Sequence, residues 1–134
     1  MATIRQFEDL EAWKKSRQLA KEIWLVTNQG TFARDYKLKD QINDSSGSAM
    51  DNIAEGFGRA GRSEFVNFLS IAKGSNDEAK SQLYRALDRE HITKEKFDAL
   101  YAIADEAGKT IHGLMEYLNK SEIKGSKFKD RTKL

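Results

Sequence analysis

Arg85 and His91 are the residues of this sequence whose types and spacing could do chemistry together. A histidine can move a proton and an arginine can stabilise phosphate charge. The alternative is a surface arginine followed by a loop histidine. The second histidine, His112, sits in neither a Glu-x-x-His nor a His-x-x-x-His arrangement, and the same holds for His91. A di-iron carboxylate bundle therefore lacks its ligands. With no cysteine and two histidines, zinc has too few donors, and disulfide and thiolate chemistry have none. Gly56-Phe57-Gly58-Arg59-Ala60-Gly61 is rich in glycine but follows no strand, so it reads as an interhelix turn. Its amides at the start of the next helix are the remaining option for an anion. No catalytic residue, metal ligand or cofactor is assigned, and the chain is expected not to be an enzyme.

The Arg85 to His91 spacing resembles the Arg-x(4–6)-His arrangement of HEPN ribonucleases, which are also helical bundles. That family tends to carry a polar residue after the arginine, where this sequence has Ala86.

Cations at helical spacing are the second kind of chemistry. Lys14, Arg17 and Lys21 are separated by three and four residues, which aligns them along one flank of a helix. They form either a phosphate-contacting stripe or a solvated helix edge. Arg59 and Arg62 beside the glycine turn are a second candidate cluster. Lys127, Lys129, Arg131 and Lys133 alternate along the C-terminal segment with Phe128 among them, as in basic tails that bind nucleic acid or simply solubilise. Residues 1–120 hold 18 Lys/Arg and 19 Asp/Glu, whereas residues 121–134 carry a surplus of three positive charges. The body is near neutral as a whole, and the basic balance of the chain comes from the tail.

The elements that must position these residues are helices. There is no proline in 134 residues, which leaves the strongest helix breaker out. Hydrophobic residues at 39% supply one core, and charged residues at 33% supply a solvated exterior. No apolar run approaches the roughly 20 residues of a membrane helix. The first ten residues include Arg5, Glu8 and Asp9, unlike a secretory signal, so a cytoplasmic location is expected. Helix one is predicted over 9–29, with Trp13, Ser16, Ala20, Ile23, Trp24 and Thr27 inward. Helix two is predicted over 36–57, with Leu38, Ile42, Ser45, Ala49 and Ile53 inward. Helix three opens at Ser63 as N-cap, carries Phe65, Leu69, Ala72, Ala79, Leu83 and Ala86 on its stripe, and ends near Glu90. Thr93 caps helix four, whose stripe runs from Phe97 to Leu118. The fold expected is all-α, an antiparallel up-down-up-down four-helix bundle over residues 1–120, with a basic flexible tail over 121–134.

Two structural details follow. Gly47 and Gly74 lie almost equally far from a turn near Ala60, so they are expected to oppose each other where helices two and three cross closely. Asn52 and Glu55 share a side of helix two. Asn52 is expected to satisfy backbone groups at that contact, and Glu55 to cap the start of helix three across Gly56 and the turn. Val66, Ile71, Tyr84, Tyr117 and Trp24 are the apolar residues available for a subunit contact.

Gln41 to Ser48, the block Asn52-Ile53-Ala54-Glu55-Gly56, and Ile71-Ala72-Lys73-Gly74-Ser75 together carry a resemblance. With Phe7, Leu10 and Trp13 upstream, the chain from Phe7 to Leu118 resembles the proteins encoded in 23S rRNA intervening sequences, once labelled S23 ribosomal proteins. That resemblance implies an antiparallel four-helix bundle and ring-like homo-oligomers, typically pentamers. It also implies kinship with the accessory variability proteins of diversity-generating retroelements, which bind nucleic acid through basic surfaces. It supplies no catalytic residues. The resulting expectation is a homo-oligomeric bundle whose partners are its own copies and RNA or DNA, with a protein scaffold and a small ribonuclease as the alternatives.

Overall fold

With no proline to interrupt them, four long helices form: α1 (Glu11–Thr27), α2 (Tyr36–Gly58), α3 (Arg62–Asp88) and α4 (Lys94–Ile123). The computed structural model describes residues 3–59 and 61–123, the last three by their backbone alone. Short 3-10 turns over Phe7–Asp9 and Gly30–Arg34 precede α1 and α2. Lys127, Lys129, Arg131 and Lys133 lie outside the described residues. α4 extends three residues past the boundary expected at residue 120.

Contacts between helices set the topology. Ser48 Oγ lies 3.0 Å from Ser75 Oγ, Ser45 Oγ donates to Gln82 Oε1 at 2.6 Å, and Arg85 Nη1 donates to Gln41 Oε1 at 3.1 Å. As numbers fall along α2 they rise along α3, so the two are antiparallel. Asn76 Nδ2 to the Ala104 carbonyl joins α3 to α4, Asn43 Nδ2 to Thr27 Oγ1 joins α2 to α1, and Lys15 Nζ to Glu106 Oε2 closes α1 on α4. The result is the up-down-up-down four-helix bundle.

The core falls into two apolar clusters. One surrounds Leu19, Ile23, Phe32, Leu38, Ile42, Leu83 and Leu100, the other Leu10, Ile53, Phe65, Leu69, Ile111 and Leu118. Among the described residues, Ser16, Thr27, Ser45, Ser46, Asn76 and Gln82 are the buried polar ones, and most of them find partners there. Such pairing is what makes burial of polar groups tolerable.

The α2–α3 contact differs from expectation in detail. A Cβ added at Gly47 or Gly74 would meet nothing within 4 Å, so these glycines do not oppose each other. Distance from the turn sets the level of a residue along a hairpin, but its rotation about the helix decides whether it faces the partner. Ser48 and Ser75, one residue further on, occupy the contact line, and Gly74 is exposed. The close approach lies instead at Gly56, where a Cβ would sit 2.6 Å from Phe68 Cβ and 3.1 Å from Phe65 Cδ1. Asn52 Nδ2 donates to the Ser48 carbonyl at 2.9 Å and to Ser48 Oγ at 3.0 Å, steadying the serine that bridges to α3. Glu55 does not serve as the expected cap: its carboxylate pairs with Arg59 one turn on, at 2.8 Å. The N-cap of α3 is Gly61, two residues before Ser63, at φ +141°. That conformation suits glycine, and its carbonyl accepts from Phe65 N at 3.2 Å.

At the opposite end, two connections are clasped together. Thr93 Oγ1 caps α4 as expected, accepting from Lys96 N at 3.0 Å. α3 ends with Glu90 at φ +61°, His91 N donating to the Ala86 carbonyl and Glu90 N to that of Leu87, the paired bonds of a Schellman motif. This turn aims the His91 ring at the α1–α2 connection. His91 Nδ1 lies 2.8 Å from Thr31 Oγ1, Nε2 lies 2.8 Å from Asp35 Oδ2, and the ring stacks on Phe32 at 5.0 Å. Asp35 also accepts from Arg89 Nη1 at 2.9 Å and caps α2 through Leu38 N at 3.3 Å. The His91 hydrogen bond, helped by Arg89 and the Leu38 amide against some desolvation, lowers the Asp35 carboxyl from 3.8 to about 2.

Candidate nucleic-acid interface

α1 shows which surface carries the charge. Its buried residues are Ala12, Ser16, Leu19, Ile23, Val26 and Thr27. The expected inward face was therefore rotated: Trp13 and Ala20 are half-buried and Trp24 is exposed. Large aromatics dominated the hydrophobic pattern, but Leu19 and Val26 define the core side. On the side away from the core, Lys14, Arg17 and Lys21 are all exposed, with Trp24 one turn beyond Lys21. Lys14 pairs with Glu11 at 3.3 Å. The Arg17 guanidinium lies 5.6 Å from the Trp13 ring centroid. Among the described residues neither Arg17 nor Lys21 has a carboxylate partner.

The aromatic end of this stripe is built by two helices. Trp24 is 55% exposed, and its carbonyl accepts from Thr27 Oγ1 at 3.0 Å and Asn28 Nδ2 at 2.8 Å. Lys39 reaches over from α2, donating to Asn28 Oδ1 at 2.8 Å with its Nζ 5.7 Å from the Trp24 ring centroid. Tyr36, one turn before Lys39, is 70% exposed. The clasp through Asp35 fixes the start of α2 and hence these two side chains.

Charge is segregated within the near-neutral body. Residues 14–39 hold seven Lys/Arg against Glu22 and Asp35, a surplus of five, while the remainder of residues 1–120 holds eleven Lys/Arg against seventeen Asp/Glu. The outward side of α2 is acidic: Asp40, Asp44, Asp51 and Glu55 are exposed at spacings of four, seven and four. A count over the whole body concealed this division. A count helix by helix shows part of it, with α1 at a surplus of two positive charges and α2 at a surplus of two negative ones; Trp24, Tyr36, Lys37 and Lys39 carry no such signal and were not placed in the site from sequence.

The other candidates are not gathered into this surface. Arg59 is neutralised by Glu55 and stacks on Phe68 at 5.0 Å, at the end of the bundle remote from Trp24. Arg62, half-buried, opens α3 beside it. A groove of about 260 Å³ between α3 and α4 carries Lys73, Lys80, Lys109 and His112. Its cations are matched within the groove, Lys73 by Asp77 at 3.1 Å, Lys80 and Lys109 by Asp105 at 3.1 and 3.2 Å. The Lys80 and Lys109 contacts hold Asp105 below the usual carboxylate range. Burial pulls the Lys80 ammonium down, and Asp105 with Tyr101 more than restores it. Such a groove offers an anion little net charge. Arg85 and His91 do not converge: Arg85 engages Gln41, and both ring nitrogens of His91 are taken up by the clasp. Among the described residues no three His, Asp or Glu side chains are grouped to hold a metal ion, and no helix is long and apolar enough to cross a membrane.

Comparison with known proteins agrees with this architecture. A crystal structure of a protein of unknown function from the S23 ribosomal protein family of Bacteroides thetaiotaomicron superposes with a TM-score of 0.73 at 24% identity, covering 78% of this chain and 95% of that one. At that identity the likeness speaks for the fold. No curated relative matches the sequence. Residues 8–113 match the family described as 23S rRNA-intervening sequence protein, and the chain belongs to that family.

Proposed function

We propose that this chain is a non-enzymatic, self-associating, cytoplasmic helical bundle that binds nucleic acid through the outward face of α1. The observation that supports this most is the row Lys14, Arg17, Lys21 and Trp24, exposed and backed by a local surplus of five positive charges over residues 14–39. Long cations in a row suit phosphates, whose neutralisation releases counterions and makes binding salt-dependent. The acidic side of α2 orients the molecule, repelling phosphates from one face while α1 attracts them. Self-association, as a pentamer by resemblance, and the tail residues Lys127 to Lys133 complete the reading. The test is binding to labelled RNA and DNA across a salt series. Lys14→Glu/Arg17→Glu/Lys21→Glu removes three phosphate contacts, so the slope of log K against log salt should shrink by about 2 to 3. An unchanged slope refutes the proposal.

A second reading is favoured by the charge division itself. The cationic side of α1 and the acidic side of α2 are complementary, so one copy's α1 suits another copy's α2 in a head-to-tail scaffold without nucleic acid. An assembly mass in solution that falls in the same triple variant and returns when Asp40, Asp44 and Asp51 are changed to Lys supports that scaffold.

A further inference from the structure

Resting on the nucleic-acid reading of α1, we infer that the partner is a single strand, with a base stacked on Trp24 and its phosphates tracking Lys21 and Arg17. Trp24 stands 55% exposed in line with these cations, and Tyr36 stands 70% exposed across the α1–α2 step. A lone exposed aromatic needs no explanation. Here an ammonium, Lys39 Nζ, lies 5.7 Å from the Trp24 ring centroid and is itself held by Asn28. Asn28 in turn binds the Trp24 carbonyl, so the indole is presented from a braced backbone.

Base faces are available for stacking in single strands, while a duplex hides them and offers only groove edges and phosphates.

The experiment uses the full chain and fluorescence anisotropy with labelled oligonucleotides of about 12 nucleotides, a length within the usual single-strand site sizes. Single-stranded RNA or DNA should bind at least about 10-fold more tightly than the matching duplex. Trp24→Ala should weaken the single strand by about 10-fold, as expected for one lost stack, while leaving the salt slope unchanged. Trp24→Phe should recover much of that loss. Lys21→Glu should reduce the slope by about 0.7, one single-strand phosphate. If strands and duplex bind equally, or Trp24→Ala has no effect while Lys21→Glu does, the stacking inference is overturned and the nucleic-acid reading stands. If neither Lys21→Glu nor Trp24→Ala alters binding, both fail. If Trp24→Ala instead lowers the mass of the assembly in solution, the face is a contact between copies and the inference is overturned.

Discussion

Replacing Gly56 by alanine should destabilise the bundle, while the same change at Gly47 and Gly74 should stabilise it. All three glycines are inside helices, where alanine is favoured by about 0.5–1 kcal/mol. At Gly47 and Gly74 the new methyl meets nothing within 4 Å, so the gain is realised. At Gly56 it would lie 2.6 Å from Phe68 Cβ, an atom fixed to the α3 backbone, and 3.1 Å from Phe65 Cδ1. Carbon atoms favour about 3.5–4.0 Å, so α2 and α3 must move apart by most of an ångström. Overpacking of this kind costs about 1–3 kcal/mol, leaving a net loss of about 1–2 kcal/mol after the helical gain. For a chain of this size each kcal/mol moves Tm by about 3–4 °C. Thermal melts followed by far-ultraviolet circular dichroism, at equal protein concentration, should show Gly56→Ala lower by about 3–8 °C and the other two each higher by about 2–3 °C. Losses at Gly47 and Gly74 matching that at Gly56 would restore the opposed-glycine crossing and refute the packing described here.

Asp35→Asn keeps a capping oxygen but removes the charge that His91 and Arg89 address, and should cost about 1 kcal/mol at neutral pH. Because the folded Asp35 carboxyl is lowered to about 2, its contribution is complete above the usual carboxylate range near 3.8 and is lost as pH falls through about 2. Urea melts should therefore show the gap between wild type and variant closing on acidification; a widening gap contradicts the linkage. Glu90→Gly should raise Tm by about 2–4 °C, since Glu90 holds the left-handed position that glycine adopts without strain. Thr93→Ala removes the α4 cap and should lower stability by about 1 kcal/mol in the same melts.

Hydrophobic period and the absence of proline made the four helices legible, and Thr93 and the start at Tyr36 were readable from capping chemistry and spacing. Rotation about a helix axis was harder. Trp24 weighs heavily in any hydrophobic pattern, yet Leu19 and Val26 take the core side and turn it outward. Gly47 and Gly74 show the same limit on α2 and α3. Long-range side-chain pairs left no local trace: nothing near Asp35 in sequence announces a partner 56 residues away at His91. The Glu55–Arg59 pair has the helical ion-pair spacing of four, but the expected end of helix two at residue 57 put Arg59 in the turn, so its withdrawal from the basic surface was missed. The stripe Lys14, Arg17 and Lys21 was legible because a single helix carries it; Lys39 joins it only through the packing of α2 on α1.

We propose that the folded α1 face, more than the tail, holds nucleic acid. The most direct measurement compares two full-length variants for binding to a single-stranded RNA near physiological salt. One carries Lys14→Glu/Arg17→Glu/Lys21→Glu, and the other carries Gln at Lys127, Lys129, Arg131 and Lys133. The α1 variant should lose most of the affinity and about 2 of the salt slope, while the tail variant should lose less of each. Binding that survives in the α1 variant and disappears in the tail variant would contradict it.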